Sequence, residues 1–201
     1  MRRLMTLLII AIAALTAVGQ QSKPAVSEKQ WDNLYAALES EDWSKAAELS
    51  DSYLKQFKQE DGDKSMARLR YMLIFASAGK VSERKMTHEE LGKILAGSVG
   101  KEIVLPARTF TTRSPAGMNA IGVLKEGPHD LSCAATNYKG TNIFAFEYIK
   151  LKQKLDRPHD GEVGVVNGIL ASFELNPNKS TIWIMRLLID KAEVTFGEPK
   201  T

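Results

Sequence analysis

Hydrophobic side chains recur every three or four positions from Ser27 to about Ala96, and polar residues fill most of the positions between them. This period is typical of amphipathic α-helices, each of which buries one face and exposes the other. Short polar turns interrupt the pattern. The sequence therefore predicts four helices, at about residues 28–39, 42–58, 66–80 and 87–96.

Two of these helices are predicted to begin at a capping box. Ser27 is followed three residues later by Gln30, and Thr87 by Glu90, so that each side chain can bond to the other residue's backbone N–H. We expect Gly79 to end the third helix, because glycine is the usual residue at a helix C-terminus. Four short helices in succession predict two antiparallel helical hairpins.

Beyond Gly97 the helical period disappears, and turn residues separate segments that are rich in β-forming residues. Six strands are predicted, at residues 102–111, 118–125, 131–137, 142–151, 163–175 and 181–194. No helix of comparable strength lies between them, which favours a small antiparallel barrel or sandwich. The predicted fold class is therefore α+β, with a helical domain at residues 27–98 and a β-barrel domain at residues 99–201.

The helical segment carries residues at the spacing of stacked helical hairpins. Large and small packing residues and a candidate inter-helix turn are found at Trp31, Leu34, Leu38, Trp43, Ala46 and Ala78-Gly79-Lys80. The segment resembles the tetratricopeptide-repeat family, although no Leu-Gly pair follows Trp31, no proline closes the first unit, and only two units are present. The alternative is a generic four-helix cap on another domain.

The last two predicted strands have a distinctive form. Gly168 interrupts the long strand at residues 163–175, where a bulge or bend would let one strand serve two sheets. The strand that follows ends in Asp-Lys-Ala-Glu-Val at residues 190–194. These features resemble part of the oligonucleotide/oligosaccharide-binding (OB) fold, which implies an OB-like barrel that binds an extended polymer.

The first nineteen residues have the three-part pattern of a secretory signal peptide. Arg2 and Arg3 precede a fifteen-residue apolar run, and small residues lead up to Gly19, after which we expect cleavage. A helix of that length covers about 22 Å of a hydrocarbon core about 30 Å thick, so it is short for a membrane span. We expect an exported bacterial protein of the periplasm or cell envelope, with residues 20–26 as a linker; the alternative is an uncleaved N-terminal anchor.

Removal of the predicted signal changes the charge of the chain. The full sequence has 27 basic and 24 acidic residues, and loss of Arg2 and Arg3 leaves 25 basic residues against 24 acidic ones. A nearly neutral protein without a concentrated basic face argues against a nucleic-acid partner. Cys133 is the single cysteine, so no intramolecular disulfide can form, and we expect it to act as a small buried hydrophobic residue.

One tripeptide occurs twice, as Pro128-His129-Asp130 and as Pro158-His159-Asp160, each at the start of a predicted strand. If the two loops met, His129, Asp130, His159 and Asp160 could hold a divalent metal ion or act as an acid–base pair. This would make the protein a metal-dependent hydrolase. The alternative is ordinary turn chemistry, in which the aspartates bond to their own backbone.

Alternating side chains mark the fourth predicted strand as a candidate ligand-binding surface. The residues that would share its face are Phe144, Phe146, Tyr148, Lys150 and Lys152. On an exposed face the rings could stack on sugars or bases. The alternative is that the rings form the barrel core, in which case Ala145 and Glu147 would face solvent.

Three aromatic residues of the helical part, Trp31, Tyr35 and Trp43, could line a groove for a protein or peptide, or could pack between helices. Phosphate-binding loops, nucleophile elbows and zinc-binding helices are absent from the sequence, so we expect no cofactor and no enzymatic activity. The sequence favours a binding or scaffold protein that mediates protein or peptide interactions. The alternative function is a barrel that binds a glycan or another extended polymer.

Overall fold

The computed structural model of the protein describes residues 26–57, 64–113, 116–125 and 127–197. Four helices come first: α1 (Glu28–Glu39), α2 (Trp43–Gln56), α3 (Ser65–Ser82) and α4 (His88–Ala96). In the described part of the chain, no helix has both the length and the apolar character needed to cross a membrane. Residues 1–19, where the sequence predicts an export signal, lie outside the described residues.

Both predicted capping boxes are confirmed. The Ser27 hydroxyl accepts a hydrogen bond from the backbone N–H of Gln30, at 3.4 Å, and the side chain of Gln30 accepts one from Ser27 in return. At α4 the backbone N–H of Glu90 donates to the Thr87 hydroxyl at 3.1 Å, and the backbone N–H of Thr87 donates to the Glu90 carboxylate at 2.7 Å. These short-range bonds satisfy N–H groups that a helix start leaves without partners.

The prediction that Gly79 ends the third helix is wrong, because α3 continues to Ser82. Gly79 lies inside the helix and is needed for packing: the indole ring of Trp43 lies directly against it, and a Cβ at residue 79 would come within 2.4 Å of that ring. The candidate inter-helix turn at Ala78-Gly79-Lys80, one of the features that resembled a tetratricopeptide repeat, is therefore helical.

Seven strands follow the helices: β1 (Glu102–Val104), β2 (Arg108–Thr111), β3 (Ile121–Val123), β4 (Leu131–Thr136), β5 (Ile143–Leu151), β6 (Val163–Leu175) and β7 (Trp183–Phe196). The first predicted strand is divided into β1 and β2 at Pro106, which has no N–H to donate to a sheet. Both short strands pair with the long strand β6.

The sheet is mixed, which corrects the prediction of a purely antiparallel one. β2 pairs with β3 in parallel, and β5 pairs with β7 in parallel. The second pairing follows from the strand order: β7 lies between β5 and β6, which run in opposite directions, and β7 is antiparallel to its hairpin partner β6. The pairings from β2 through β3, β4, β5, β7 and β6 lead back to β2.

One continuous hydrophobic core joins the helices to the sheet. Helix α3 packs against β1, β5 and β7. At this junction Trp43 of α2, Phe75 of α3 and Phe144 of β5 meet, with ring centroids 5.0–5.9 Å apart. Because these rings come from both halves of the chain, the burial that stabilises α2 and α3 depends on the sheet.

We expect Gly79→Ala to lower the free energy of unfolding by about 1–3 kcal/mol, since the new methyl group would force the Trp43 ring out of its packed position. Urea denaturation measures this change. Gly97→Ala is the matched control, because a Cβ there has ordinary 3.5 Å contacts, and the change should stay within about 0.5 kcal/mol. Equal stability losses in the two variants would contradict this account of Gly79.

Candidate binding face

A β-bulge decides which side chains of β5 share a face. Thr136 pairs with Ile143 and Ala135 pairs with Ala145, so that Phe144 is an extra residue in β5. Phe144 and Ala145 are both buried towards the helices, after which the alternation resumes with Phe146 partly exposed. The prediction that Phe144, Phe146 and Tyr148 lie on one face is therefore wrong for Phe144, whereas Phe146 and Tyr148 are both partly exposed.

The side of β5 that faces away from the helices carries a cluster of aromatic rings. Phe146 lies 6.1 Å from Trp183 of β7, measured between ring centroids, and Tyr148 lies 5.4 Å from the ring of His129. The guanidinium group of Arg186 lies 4.9 Å from the centroid of the Trp183 ring, in a cation–π contact. We call Phe146, Tyr148 and Trp183 the aromatic face; all three are partly exposed.

A shallow cleft of about 230 Å³ opens beside two of these rings. Its lining comes from β3, β4, β5 and the residues after β2: Arg113, Ala116, Gly122, Val123, Leu124, Ser132, Cys133, Ala134, Phe146, Glu147 and Tyr148. This volume is smaller than the roughly 300–1,000 Å³ of pockets that enclose a drug-sized ligand. The cleft can therefore accommodate one ring of a larger molecule that lies across the surface.

Trp183 and Arg186 were not among the residues predicted for this site. The sequence of β7 is almost continuously hydrophobic and indicated a strand buried on both sides. The structure leaves Trp183, Arg186 and Leu188 partly exposed. The signal that could have identified them is the single charge of Arg186 within the hydrophobic run, since an arginine is rarely buried without a partner.

The opposite side of β5 holds a buried ion pair. The Glu147 carboxylate, which is 0% exposed, pairs with the guanidinium of Arg108 from β2. Tyr71 of α3 donates its hydroxyl hydrogen to Glu147 Oε1 at 2.6 Å and accepts a hydrogen bond from Arg108 Nη2 at 2.9 Å. The prediction of a solvent-exposed Glu147, and with it Ala145, is wrong: both are fully buried beneath the helices.

The pKa shifts in this cluster follow from burial and from the ion pair. Burial is the largest single effect on the pKa of Arg108 and lowers it, but electrostatic attraction to Glu147, Tyr71 and Cys133, together with the hydrogen bond to Glu147, holds that pKa well above its usual value. Burial and the negative charge of Glu147 raise the pKa of Tyr71 well above its usual value. Burial also raises the pKa of the Cys133 thiol to about 12, so this thiol, 3.0 Å from Arg108 Nη1, stays protonated at neutral pH.

The two His-Asp pairs have separate structural roles. Asp130 accepts a hydrogen bond from the backbone N–H of Leu151, and Asp160 accepts one from the backbone N–H of Thr112, each at 2.8 Å. Leu151 and Thr112 are 21 and 48 residues away from these aspartates, so each bond joins two distant segments and is not the local turn chemistry that the sequence left open as the alternative. Within residues 26–57, 64–113, 116–125 and 127–197, no group of three or more His, Cys, Asp or Glu side chains is placed to hold a metal ion.

The two histidines also have different surroundings. His129 lies beside Tyr148 at the aromatic face. His159 is buried, stacks on Phe196 with ring centroids 3.6 Å apart, and has its ring nitrogens 3.1 Å from the carboxylates of Asp156 and Glu162.

The two lysines predicted to extend the ligand-binding strand, Lys150 and Lys152, lie at different surfaces. Lys150 is exposed next to the aromatic face, two residues beyond Tyr148. Lys152 forms an ion pair with Glu193, at 2.9 Å, and lines a different groove, of about 530 Å³, beside His159. Of the two, Lys150 therefore remains available to a ligand at the aromatic face.

The predicted aromatic groove of the helices contains one buried member, because Trp43 is only 2% exposed. Trp31 and Tyr35 stack on each other at the surface, with ring centroids 5.9 Å apart. Tyr138, from the hairpin turn between β4 and β5, is 59% exposed. Burial, the nearby Glu39 carboxylate and the Tyr35 hydroxyl together raise the pKa of Tyr138, so the two phenols are neighbours. We call Trp31, Tyr35 and Tyr138 the helix–hairpin patch.

Glu41 fixes the hairpin turn to the helices. Its carboxylate accepts hydrogen bonds from the backbone N–H of Lys139 at 3.0 Å and from the side-chain amide of Asn137 at 3.2 Å. Glu41 has a positive φ of 56°, between α1 and α2, where the chain turns sharply. The helix–hairpin patch is therefore assembled from two distant parts of the sequence.

No family model, curated protein or solved structure was found to match this chain. The chemistry of the candidate site is therefore inferred from its own side chains and their surroundings.

We expect Glu147→Gln to lower the free energy of unfolding by about 3–5 kcal/mol, because it leaves the Arg108 charge buried without a carboxylate. Tyr71→Phe removes one hydrogen-bonding hydroxyl and should cost less, about 1–3 kcal/mol. Urea denaturation measures both. Glu193→Gln breaks an exposed ion pair with Lys152 and should leave stability nearly unchanged. A Glu147→Gln variant as stable as this control would contradict the assignment of a buried ion pair.

Proposed function

We propose that the protein is a non-enzymatic binding protein that holds an extended glycan on its aromatic face. The observation that carries the proposal is the grouping of Phe146, Tyr148 and Trp183, all partly exposed, on one side of two adjacent strands, next to a cleft. Aromatic rings bury large areas and usually contribute to a core when they can. On β5 the buried positions include Phe144, Ala145 and Glu147, whereas Phe146 and Tyr148 stay partly exposed on the other side.

The dimensions of the site suit a polymer bound unit by unit. The cleft admits about one ring, and the neighbouring aromatic side chains provide further flat surfaces along β5 and β7. The apolar C–H faces of sugar rings stack on such surfaces, while their hydroxyl groups stay in contact with water. Ser132 of β4, which pairs with Tyr148, supplies a hydroxyl within the cleft lining.

The order of the strands supports an OB-like interpretation of the β-rich part. If the short strands β1 and β2 are left out, the other five strands lie side by side in the order β3, β4, β5, β7, β6. In this order β7 comes before β6, the reverse of their order in the chain. In OB folds the face of the second and third strands binds oligosaccharides or oligonucleotides. In this interpretation β4 and β5 are those two strands, and the aromatic face lies on them and on the neighbouring β7. Export, predicted from residues 1–19, would expose this face to the polysaccharides of a cell envelope.

A second function, protein or peptide binding, is supported by the helix–hairpin patch. Three aromatic side chains from α1 and from the turn after β4 lie together at the surface, and Tyr138 is more than half exposed. Aromatic residues of this kind are enriched at the centres of protein interfaces. This proposal retains Trp31 and Tyr35 from the predicted protein-binding set and replaces the buried Trp43 with Tyr138.

Phe146→Ala and Trp183→Ala should each weaken glycan binding about tenfold or more, because each removes a stacking surface. Binding is measured by calorimetry against a panel of cell-envelope and plant polysaccharides. Tyr35→Ala, which removes an exposed aromatic ring from the helices, is the control and should bind normally. An absence of binding across the panel, or an equal loss in the control, would overturn the glycan proposal.

If the helix–hairpin patch binds a protein, substitutions in this patch should weaken binding of that protein, whereas substitutions in the aromatic face should not. A Tyr35→Ala and Tyr138→Ala double variant should lose a partner that the unaltered chain captures from envelope extract, since both rings would contribute buried contact area. Phe146→Ala should keep that partner. Retention of the same partner by the double variant would rule out this surface.

A further inference from the structure

Arg113 lies at the cleft beside the aromatic face. Among the residues that the structure describes, Arg113 and Glu147 are the charged ones that line the cleft, and the Glu147 carboxylate is turned inward and paired with Arg108. Arg113 is exposed, and it forms no salt bridge with any residue that the structure describes. The accessible charge of the cleft lining is therefore positive.

The neighbouring acidic groups are already engaged. The carboxylate of Asp160 accepts hydrogen bonds from both the backbone N–H and the hydroxyl of Thr112, at 2.8 and 3.2 Å. These bonds are the main cause of its lowered pKa, and the positive charge of Arg113 makes a smaller contribution in the same direction. Glu174 pairs with Arg186 at 2.8 Å. Both carboxylates thus have their own donors.

One further cation, Lys150, lies on β5, the strand that carries Phe146 and Tyr148. Lys150 follows Tyr148 by two residues on β5, is exposed, and forms no salt bridge within the described residues. Lys150 is not among the residues that line the cleft. Of these two cations, Arg113 is the one that lines the cleft.

Building on the proposed glycan-binding function, we propose that the sugar unit held in the cleft is acidic and that its carboxylate pairs with the guanidinium of Arg113. A guanidinium group presents two parallel N–H donors that match the two oxygens of a carboxylate. The ring of the same unit lies against Phe146 and Tyr148. A uronic-acid polymer combines these features, because each unit carries a flat apolar ring face and one carboxylate.

The charge balance favours an acidic glycan over single-stranded nucleic acid. Proteins that bind nucleic acid follow its phosphates with a continuous groove of cations. Here the described lining of the cleft includes one arginine without a salt bridge to any described residue, and the chain as a whole has 27 basic and 24 acidic residues. This positive charge is enough to pair with one carboxylate at the cleft, but it is too small to neutralise a phosphate at every nucleotide.

The test compares uronic-acid oligomers from polygalacturonate and alginate with their carboxyl-reduced, uncharged derivatives, using the full chain and calorimetry at low ionic strength. We expect the acidic oligomer that binds best to bind about tenfold more tightly than its reduced derivative. Arg113→Gln should abolish that difference. Arg68→Gln, which removes an exposed arginine on α3, is the charge-matched control and should preserve it. If Arg113→Gln fails to fold, Arg113→Lys replaces it and should reduce the difference by loss of the paired N–H donors.

The outcomes separate this inference from the function on which it rests. Equal or tighter binding of the reduced oligomers would overturn the acidic-sugar inference and leave glycan binding standing. No binding of either form, nor of neutral polysaccharides, would overturn both. Tighter binding of a single-stranded oligonucleotide than of any uronic-acid oligomer would also overturn the inference, in favour of a nucleic-acid ligand.

Discussion

The ion pair between Arg108 and Glu147 is the constraint on which the rest of the structure depends. Two charges removed from water are costly unless every donor and acceptor around them is satisfied. Here β2 supplies the guanidinium, β5 supplies the carboxylate, and Tyr71 of α3 bonds to both. β2 and β5 are three strands apart in either direction around the ring of pairings, so the ion pair is satisfied only when the sheet and α3 are assembled together.

This constraint also positions the candidate site. Because side chains alternate across a strand, the inward direction of Glu147 turns its neighbours Phe146 and Tyr148 outward. The bulge at Phe144 resets the alternation, so that this ring packs into the core with Trp43 while the next aromatic residue is exposed. A single strand therefore joins the helices on one side and presents a ligand-binding surface on the other.

Features that depend on neighbours in sequence could be predicted, and features that depend on distant partners could not. The capping boxes at Ser27 and Thr87 need only a residue three positions away, and both were predicted correctly. The role of Gly79 depends on Trp43, and the burial of Glu147 depends on Arg108 and Tyr71, 39 and 76 residues away. The bulge in β5 and the parallel pairing of β5 with β7 are likewise set by the partner strands. This is why the aromatic face was predicted in part: Phe146 and Tyr148 share a strand, whereas Trp183 joins them through the sheet.

The central claim is that α3 and β5 belong to one cooperative unit, held together by the buried ion pair and the shared core. Native-state hydrogen exchange, followed residue by residue, tests it most directly. We expect the slowest amides of α3 and of β5 to exchange with the same free energy, equal to that of global unfolding. Exchange of the α3 amides through a separate opening of lower free energy, with β5 still protected, would contradict it.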